Sequence, residues 1–261
     1  MKIKLQVIIL SLTSFLIGSC GETTTDSSTG LSGQSGSLAS MTIANGDLHI
    51  LNNGYVISFD LSGELVLSSK VTSDSHSWDA ETIFNYNNEY LLVGTDNSVN
   101  IFSLNSESEE LLPAEFVSSF QHLTARDPVI ALEGIAYFTT RDGNESTHTN
   151  RDALGVLDIS DITTPIEILV DNSLKEPYGL TLSNGSLFVC DKAAGLTKFS
   201  IEKDELGNVS ALIYQQSYSI YPCNDVIANG DLLVLTDPKS INQVRVNGSE
   251  LELVSKIELF Y

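Results

Sequence analysis

Basic residues are scarce: 13 Lys and Arg stand against 34 Asp and Glu, a formal net charge of −21 over 261 residues. Such a polyanion repels nucleic acid and anionic headgroups, so no nucleic-acid partner is expected. Cysteine is almost missing, with 3 in the chain, and the 4 His and single Trp are scattered. That spacing indicates no zinc site. Neither a G-x-S-x-G elbow nor an H-E-x-x-H helix is present, which removes two common signatures of hydrolysis. No metal and no cofactor is expected. Helical periodicity is lacking too, outside the first twenty or so residues. Long hydrophobic runs are absent beyond Leu5 to Ile17, which is too short and too quickly ended for a spanning helix.

What remains is the composition of a folded, strand-rich protein: 42% hydrophobic, 18% charged, Gly 18 and Pro 6. Disordered chains carry fewer apolar residues and more charge. One all-β domain of about 200–250 residues is an ordinary size, and a chain this long buries a substantial core without metals or disulfides.

The N-terminus reads as a processing segment. Lys2 and Lys4 form a short positive region, the apolar run follows, and Gly18 and Ser19 are small. The stretch I-G-S-C at 17–20 resembles the lipobox of bacterial lipoproteins. That resemblance implies a signal peptide over 1–19 and a lipid-bearing Cys20 as the mature N-terminus. Gly21, where an Asp would signal inner-membrane retention in proteobacterial relatives, implies an outer-membrane or cell-surface address. Membrane attachment is then through the lipid alone. Residues 20–39 are rich in Gly, Ser and Thr and read as a flexible tether. Loss of Lys2 and Lys4 with the signal takes the net charge from −21 to −23.

The domain from 40 to 261 is organised around a repeated phrase. Residues 44–53 read A-N-G-D-L-H-I-L-N-N and residues 228–237 read A-N-G-D-L-L-V-L-T-D, with looser copies at 87–96, 132–141 and 183–192. Each is a turn followed by an apolar, β-prone run. Asn-Gly at 45–46, 184–185 and 229–230 predicts tight hairpins, because both central positions of a type I′ turn need positive φ. Asn87-Asn88 and Glu133-Gly134 take the same place in the other copies. Around these phrases the chain divides into five units, starting near residues 40, 81, 127, 178 and 225, each holding four short strands. A four-stranded unit of about 40–50 residues, repeated, is the signature of propeller blades. The predicted fold is therefore an all-β propeller of five four-stranded blades, each from consecutive residues, closed by packing of the last blade on the first.

The third unit contains L-G-V-L-D-I-S-D-I-T-T-P-I-E-I at 154–168. This resembles the LVIVD repeat of bacterial and archaeal surface proteins: an apolar strand ending in Asp, a Ser-Asp turn, a Pro, then another strand. Asp158, Ser160, Asp161 and Pro165 match, and Asp60 and Ser62 match the first half in the first unit. The second, fourth and fifth units carry Ser103, Ser200 and Arg245 where the pattern has Asp. The resemblance implies a β-propeller on the cell exterior without implying an activity.

In such a blade, the loops joining second to third strands, and those leading to the next blade, share one face. Propellers usually bind there. The candidate ligand-binding residues on it are Trp78, Asp79, Arg126, Asp127, Tyr178, Asp191, Tyr221, Asn224 and Asp225. Two readings follow. One is a binding or scaffolding module for a protein or glycan at the cell surface. The alternative is a carbohydrate-active enzyme, since glycoside hydrolysis needs two opposed carboxylates and Asp79, Glu81, Asp127 and Asp225 begin first strands. No spacing selects a pair, so no catalytic residue is assigned. Asp142, Asn144 and Ser146 have the oxygen spacing of the first half of a calcium loop, but no Glu closes it. Trp78 and Tyr221 read as core plugs before stacking platforms. Cys190 and Cys223 fall at similar depth in neighbouring units, and export permits a bond between them. Cys190 lies in the apolar run L-F-V-C, so two buried free thiols are the favoured reading.

Overall fold

Twenty strands, each three to seven residues from the next across most hairpins and loops, form five separate four-stranded sheets. The computed structural model describes residues 37–52, 54–61, 66–70, 80–104, 112–121, 128–141 and 152–260, with 66–70 described through the backbone alone. Blade 1 holds β1 (Met41–Ala44), β2 (Asp47–Asn52), β3 (Tyr55–Asp60) and β4 (Val66–Lys70). Blade 2 holds β5 (Thr82–Tyr86), β6 (Tyr90–Gly94), β7 (Ser98–Ser103) and β8 (Glu115–Gln121). Blade 3 holds β9 (Val129–Leu132), β10 (Ile135–Thr140), β11 (Ala153–Asp158) and β12 (Ile166–Asp171). Blade 4 holds β13 (Pro177–Ser183), β14 (Ser186–Asp191), β15 (Gly195–Lys203) and β16 (Val209–Tyr218). Blade 5 holds β17 (Asp225–Asn229), β18 (Leu232–Asp237), β19 (Ser240–Asn247) and β20 (Glu250–Glu258). Every sheet is a meander of consecutive antiparallel strands, and the five are arranged as a five-bladed β-propeller. No helix occurs among the described residues.

The turn chemistry sets the registers. Asn45 and Gly46, Glu133 and Gly134, and Asn184 and Gly185 all sit at positive φ between directly paired strands. This is the backbone that a type I′ hairpin requires. Blade 5 differs from the expectation. Asn229 pairs with Leu232, so the two-residue turn is Gly230-Asp231, with glycine at positive φ in its first position. That is the type II′ arrangement, which needs glycine only there. These four turns, with the 87–89 turn of blade 2, lie at one end of the propeller. The opposite end carries the loops after β6, β14 and β18 and the entries to β13 and β17.

The middle of the arc is doubly packed. Strands β5, β9 and β13 are buried at nearly every position, and so are β6, β10 and β14. Leu92, Ile101, Val129, Phe138, Val156, Leu180, Leu187 and Phe199 belong to one continuous apolar core across blades 2, 3 and 4. Polar stitches cross the junctions: the Gly134 N–H donates to Tyr86 Oη at 2.9 Å, Thr139 Oγ1 to the Tyr178 carbonyl at 2.7 Å, and Ser183 Oγ to the Gly230 carbonyl at 2.8 Å. Segment 154–168 has a local explanation. Asp158 accepts the Ser160 N–H and hydroxyl, and Asp161 accepts the Thr163 N–H and the hydroxyls of Thr163 and Thr164. The two aspartates fold the loop between β11 and β12 by bonding the backbone two residues on.

One expectation is corrected. Cys190 and Cys223 form a disulfide, with Cα atoms 5.4 Å apart, joining the end of β14 to the entry of β17. The pairing is possible because Cys190 pairs with Leu196 while Leu196 N–H donates to the Tyr221 carbonyl, which brings the 221–223 segment alongside. Among the described residues, no buried apolar cluster spans blades 5 and 1. Buried apolar clusters join blade 1 to blade 2, blades 2 to 4, and blade 4 to blade 5, while β1 exposes Met41 and Ile43 and β17 leaves Ile227 half-buried. The last strand, β20, pairs with β19 as expected and takes no part in blade 1.

Candidate functional site

Five of the nine candidate residues are described: Tyr178 near the start of β13, Asp191 at the end of β14, and Tyr221, Asn224 and Asp225 at the entry to β17. Trp78, Asp79, Arg126 and Asp127 lie outside the described residues, as do Cys20 and the Asp142–Ser146 stretch.

Asp191 is 2% exposed, and its carboxylate is occupied. It accepts the N–H groups of Lys175 at 3.0 Å, Glu176 at 3.1 Å and Ala193 at 3.1 Å. Three backbone donors tie the loop before β13 to the turn after β14. Asp225 is likewise engaged. Its Oδ1 accepts the Val226 N–H at 2.9 Å and the Ser37 hydroxyl at 3.2 Å, and the Leu38 N–H also reaches the carboxyl. Burial pushes its pKa up to about 6, against the lowering effect of those three donors. Gly179 makes the fit possible: a Cβ there would stand 2.0 Å from Asp225 Oδ1. Tyr221 is buried in the cluster with Cys190, Cys223, Phe188 and Leu235, so it is a core side chain. Asn224 works through its backbone, donating to the Thr236 carbonyl and accepting from the Gly179 N–H.

Tyr178 is the exception. Its ring carries the Arg141 guanidinium 3.6 Å from the centroid and the Lys192 ammonium at 5.4 Å. Such cation–π contacts are worth about 0.5–2 kcal/mol, more where water is excluded. Arg141 is buried at the end of β10, while Lys192 is exposed at the end of β14 and pairs with Glu176 at 3.2 Å. The Glu176 carboxylate, and then the Tyr178 hydroxyl, hold the Lys192 pKa above its ordinary value. The junction of blades 3 and 4 thus presents a half-buried aromatic ring framed by two cations in a strongly acidic chain.

Ser37 is a residue that sequence reasoning missed. It falls in the stretch read as tether, yet it is buried: its hydroxyl accepts the Leu180 N–H at 2.7 Å while donating to Asp225. The carbonyl of Ala39 then accepts from Ile83 of blade 2. Residues 37–39 therefore cross from β13 and β17 to β5. Among the described residues, no group of three or more His, Cys, Asp or Glu is placed to hold a metal ion, and no helix is long and apolar enough to cross a membrane.

No family model matches the chain, and no curated protein matches it. Solved structures do. The chain is similar to a component of a mitotic checkpoint complex at 13% identity and TM-score 0.62, covering 85% of this chain and 64% of that one. It is similar to a 6-phosphogluconolactonase candidate from Bacteroides fragilis NCTC 9343 at 14% identity and TM-score 0.59, covering 84% and 69%. A second such candidate, from Bacteroides uniformis ATCC 8492, has 11% identity and TM-score 0.58, covering 84% and 70%. The chain thus spans about two thirds of the length of the solved structures it matches. At these identities the likeness is one of fold, and the fold shared is the β-propeller.

Proposed function

We propose that this protein is a lipid-anchored propeller of the cell envelope, of the LVIVD-repeat type, that acts as a binding or scaffolding module. The address rests on the tripartite N-terminus ending in I-G-S-C, with Cys20 as the lipid-bearing residue at the outer membrane or cell surface. Mass spectrometry of the protein from its native membrane then finds a diacylglyceryl Cys20 as the first residue. An unmodified chain beginning elsewhere would overturn the address.

The observation that carries the binding role is the Tyr178 platform, framed by Arg141 and Lys192. The buried Arg141 guanidinium covers one face of the ring, and what the ring leaves exposed, with its hydroxyl and the Lys192 ammonium, suits contact with a sugar or a planar side chain of a protein partner. Of the carboxylates that begin first strands, Asp225 already accepts backbone and hydroxyl donors, which disfavours it as a hydrolytic group. A glycan panel separates the two. Binding without turnover, weakened at least tenfold by Tyr178→Ala, fits the module. Turnover abolished in an Asp127→Asn, Asp225→Asn variant would establish the enzyme instead.

A further inference from the structure

Glu176, Tyr178 and Lys192 bring three polar tips together at the rim of the half-buried ring. The Lys192 ammonium stands 3.2 Å from the Glu176 carboxylate and donates to the Tyr178 hydroxyl at 3.5 Å, and that hydroxyl donates to Glu176 Oε1 at 3.5 Å. The Lys192 and Glu176 side chains are 53% and 43% exposed, so both tips stay open to a ligand. The backbone beneath holds them in place. The Lys192 N–H donates to the Glu176 carbonyl at 3.0 Å, which makes the two side chains neighbours. Buried Asp191 accepts the N–H groups of Lys175, Glu176 and Ala193, so one carboxylate clamps the loop before β13 to the turn after β14. The Thr139 hydroxyl fixes the Tyr178 carbonyl from blade 3. Polar groups held in this way lose little freedom when a ligand arrives.

The charges select the ligand. Arg141 and Lys192 stand against the ring as cations, and Glu176 and Asp191 lie beside it as carboxylates. An anion drawn to Lys192 meets the adjacent Glu176 carboxylate and the field of a chain of net charge −21. A cation drawn to Glu176 meets Lys192 and Arg141. A neutral group that donates to a carboxylate and accepts from an ammonium meets neither penalty. A hydroxyl does both, with one donor and two acceptor lone pairs. A pair of hydroxyls on adjacent carbons engages both tips at once, while the carbons that bear them lie along the part of the aromatic ring that Arg141 leaves open. We propose that the Tyr178 site takes a neutral sugar, held through a pair of adjacent hydroxyls by Glu176 and Lys192. This inference rests on the reading of the Tyr178 face as the binding surface and names what that surface takes.

The test immobilises the full chain carrying Cys20→Ser and offers it outer-membrane extract that is untreated, digested with protease, or treated with periodate, which cleaves between adjacent hydroxyl-bearing carbons. Retention that Tyr178→Ala abolishes, that survives protease and that periodate removes is expected. On a panel of neutral, uronate-bearing and amine-bearing oligosaccharides, the neutral members should bind best. Glu176→Ala and Lys192→Ala should each weaken that binding about tenfold, since each removes a hydrogen bond to a charged group, with the thermal midpoint unchanged. Retention that depends on Tyr178 but is destroyed by protease and indifferent to periodate overturns the sugar and leaves the binding face standing. Tighter binding of the uronate-bearing or amine-bearing members also overturns it. No retention, or retention indifferent to Tyr178→Ala, overturns both.

Discussion

The Ser37 hydroxyl donates to Asp225 Oδ1 at 3.2 Å across 188 residues of sequence, and Ser37 Oγ itself accepts the Leu180 N–H at 2.7 Å. One small side chain before the first strand is thereby bonded to the innermost strands of blades 4 and 5. Blade 5 and blade 1 share no strand, so this link is the described polar tie between the N-terminal and C-terminal parts of the propeller.

Removing that hydroxyl leaves a buried amide and a buried carboxyl short of a partner. Ser37→Ala is therefore expected to cost about 1–3 kcal/mol. At roughly 2–4 °C per kcal/mol for a domain of this size, calorimetry should show the midpoint falling by several degrees. Ser37→Ala with an unchanged midpoint would mean that residues 37–39 are not seated in solution.

Asp225 gives the tie a pH dependence. Burial raises its folded-state pKa to about 6, above the ordinary 3.8, so the folded chain holds this proton more tightly than the unfolded chain. The stabilisation is complete below about pH 4 and is lost as pH rises through 6. By pH 8 the loss reaches roughly 3 kcal/mol. Asp225→Asn keeps an acceptor for the Ser37 hydroxyl and cannot ionise. Its denaturant midpoint should exceed that of the unaltered chain at pH 8 and lose the slope between pH 4 and 7. Equal slopes in the two proteins would rule this out.

His49 acts in the opposite sense. It is buried against blade 2, its Nδ1 lies 2.8 Å from Ser58 Oγ, and burial pushes its pKa below the ordinary 6.5. The unfolded chain therefore takes up this proton first, and stability falls as pH drops below about 6.5. Replacing His49 with Gln should remove that acid-side loss, read from urea midpoints between pH 6.5 and 5. Because Asp225 gains stability over part of the same window, the two effects are resolved by comparing the single variants.

The Cys190–Cys223 bond closes a loop over a separation of 33 residues. The chain-entropy model gives it about 3–4 kcal/mol. Cys223→Ser is expected to lower stability by an amount of that order. Unfolded, unreduced protein should show neither Cys190 nor Cys223 reacting with a thiol reagent, and labelling at both would contradict the bond.

The hairpins were legible because positive φ at 45–46, 133–134 and 184–185 demands residues that tolerate it, and Asn and Gly announce themselves. Blade starts followed from those turns, and the placing of Tyr178, Asp191 and Asp225 at strand ends followed from the meander order. Ser37 left no trace, since a serine in a Gly/Ser stretch looks the same whether it is solvated or bonded to a strand 188 residues away. The duties of Asp191 and Asp225 were hidden for a related reason: a carboxylate at a strand end reads alike whether it faces a ligand or three backbone amides. Arg141 over Tyr178 is a contact between blades, set by blade packing that no local pattern encodes. The disulfide needed a Cα separation of 5.4 Å, which register arguments alone do not supply.

The central claim is that the Tyr178 face of an envelope-anchored propeller binds a partner. The most direct measurement is capture from outer-membrane extract by the immobilised full chain, carrying Cys20→Ser, beside the same chain with Tyr178→Ala. The account predicts a protein or glycan species retained by the first and lost, or reduced at least tenfold, with the second, the two having equal thermal midpoints. Identical capture by both, or none by either, would contradict it.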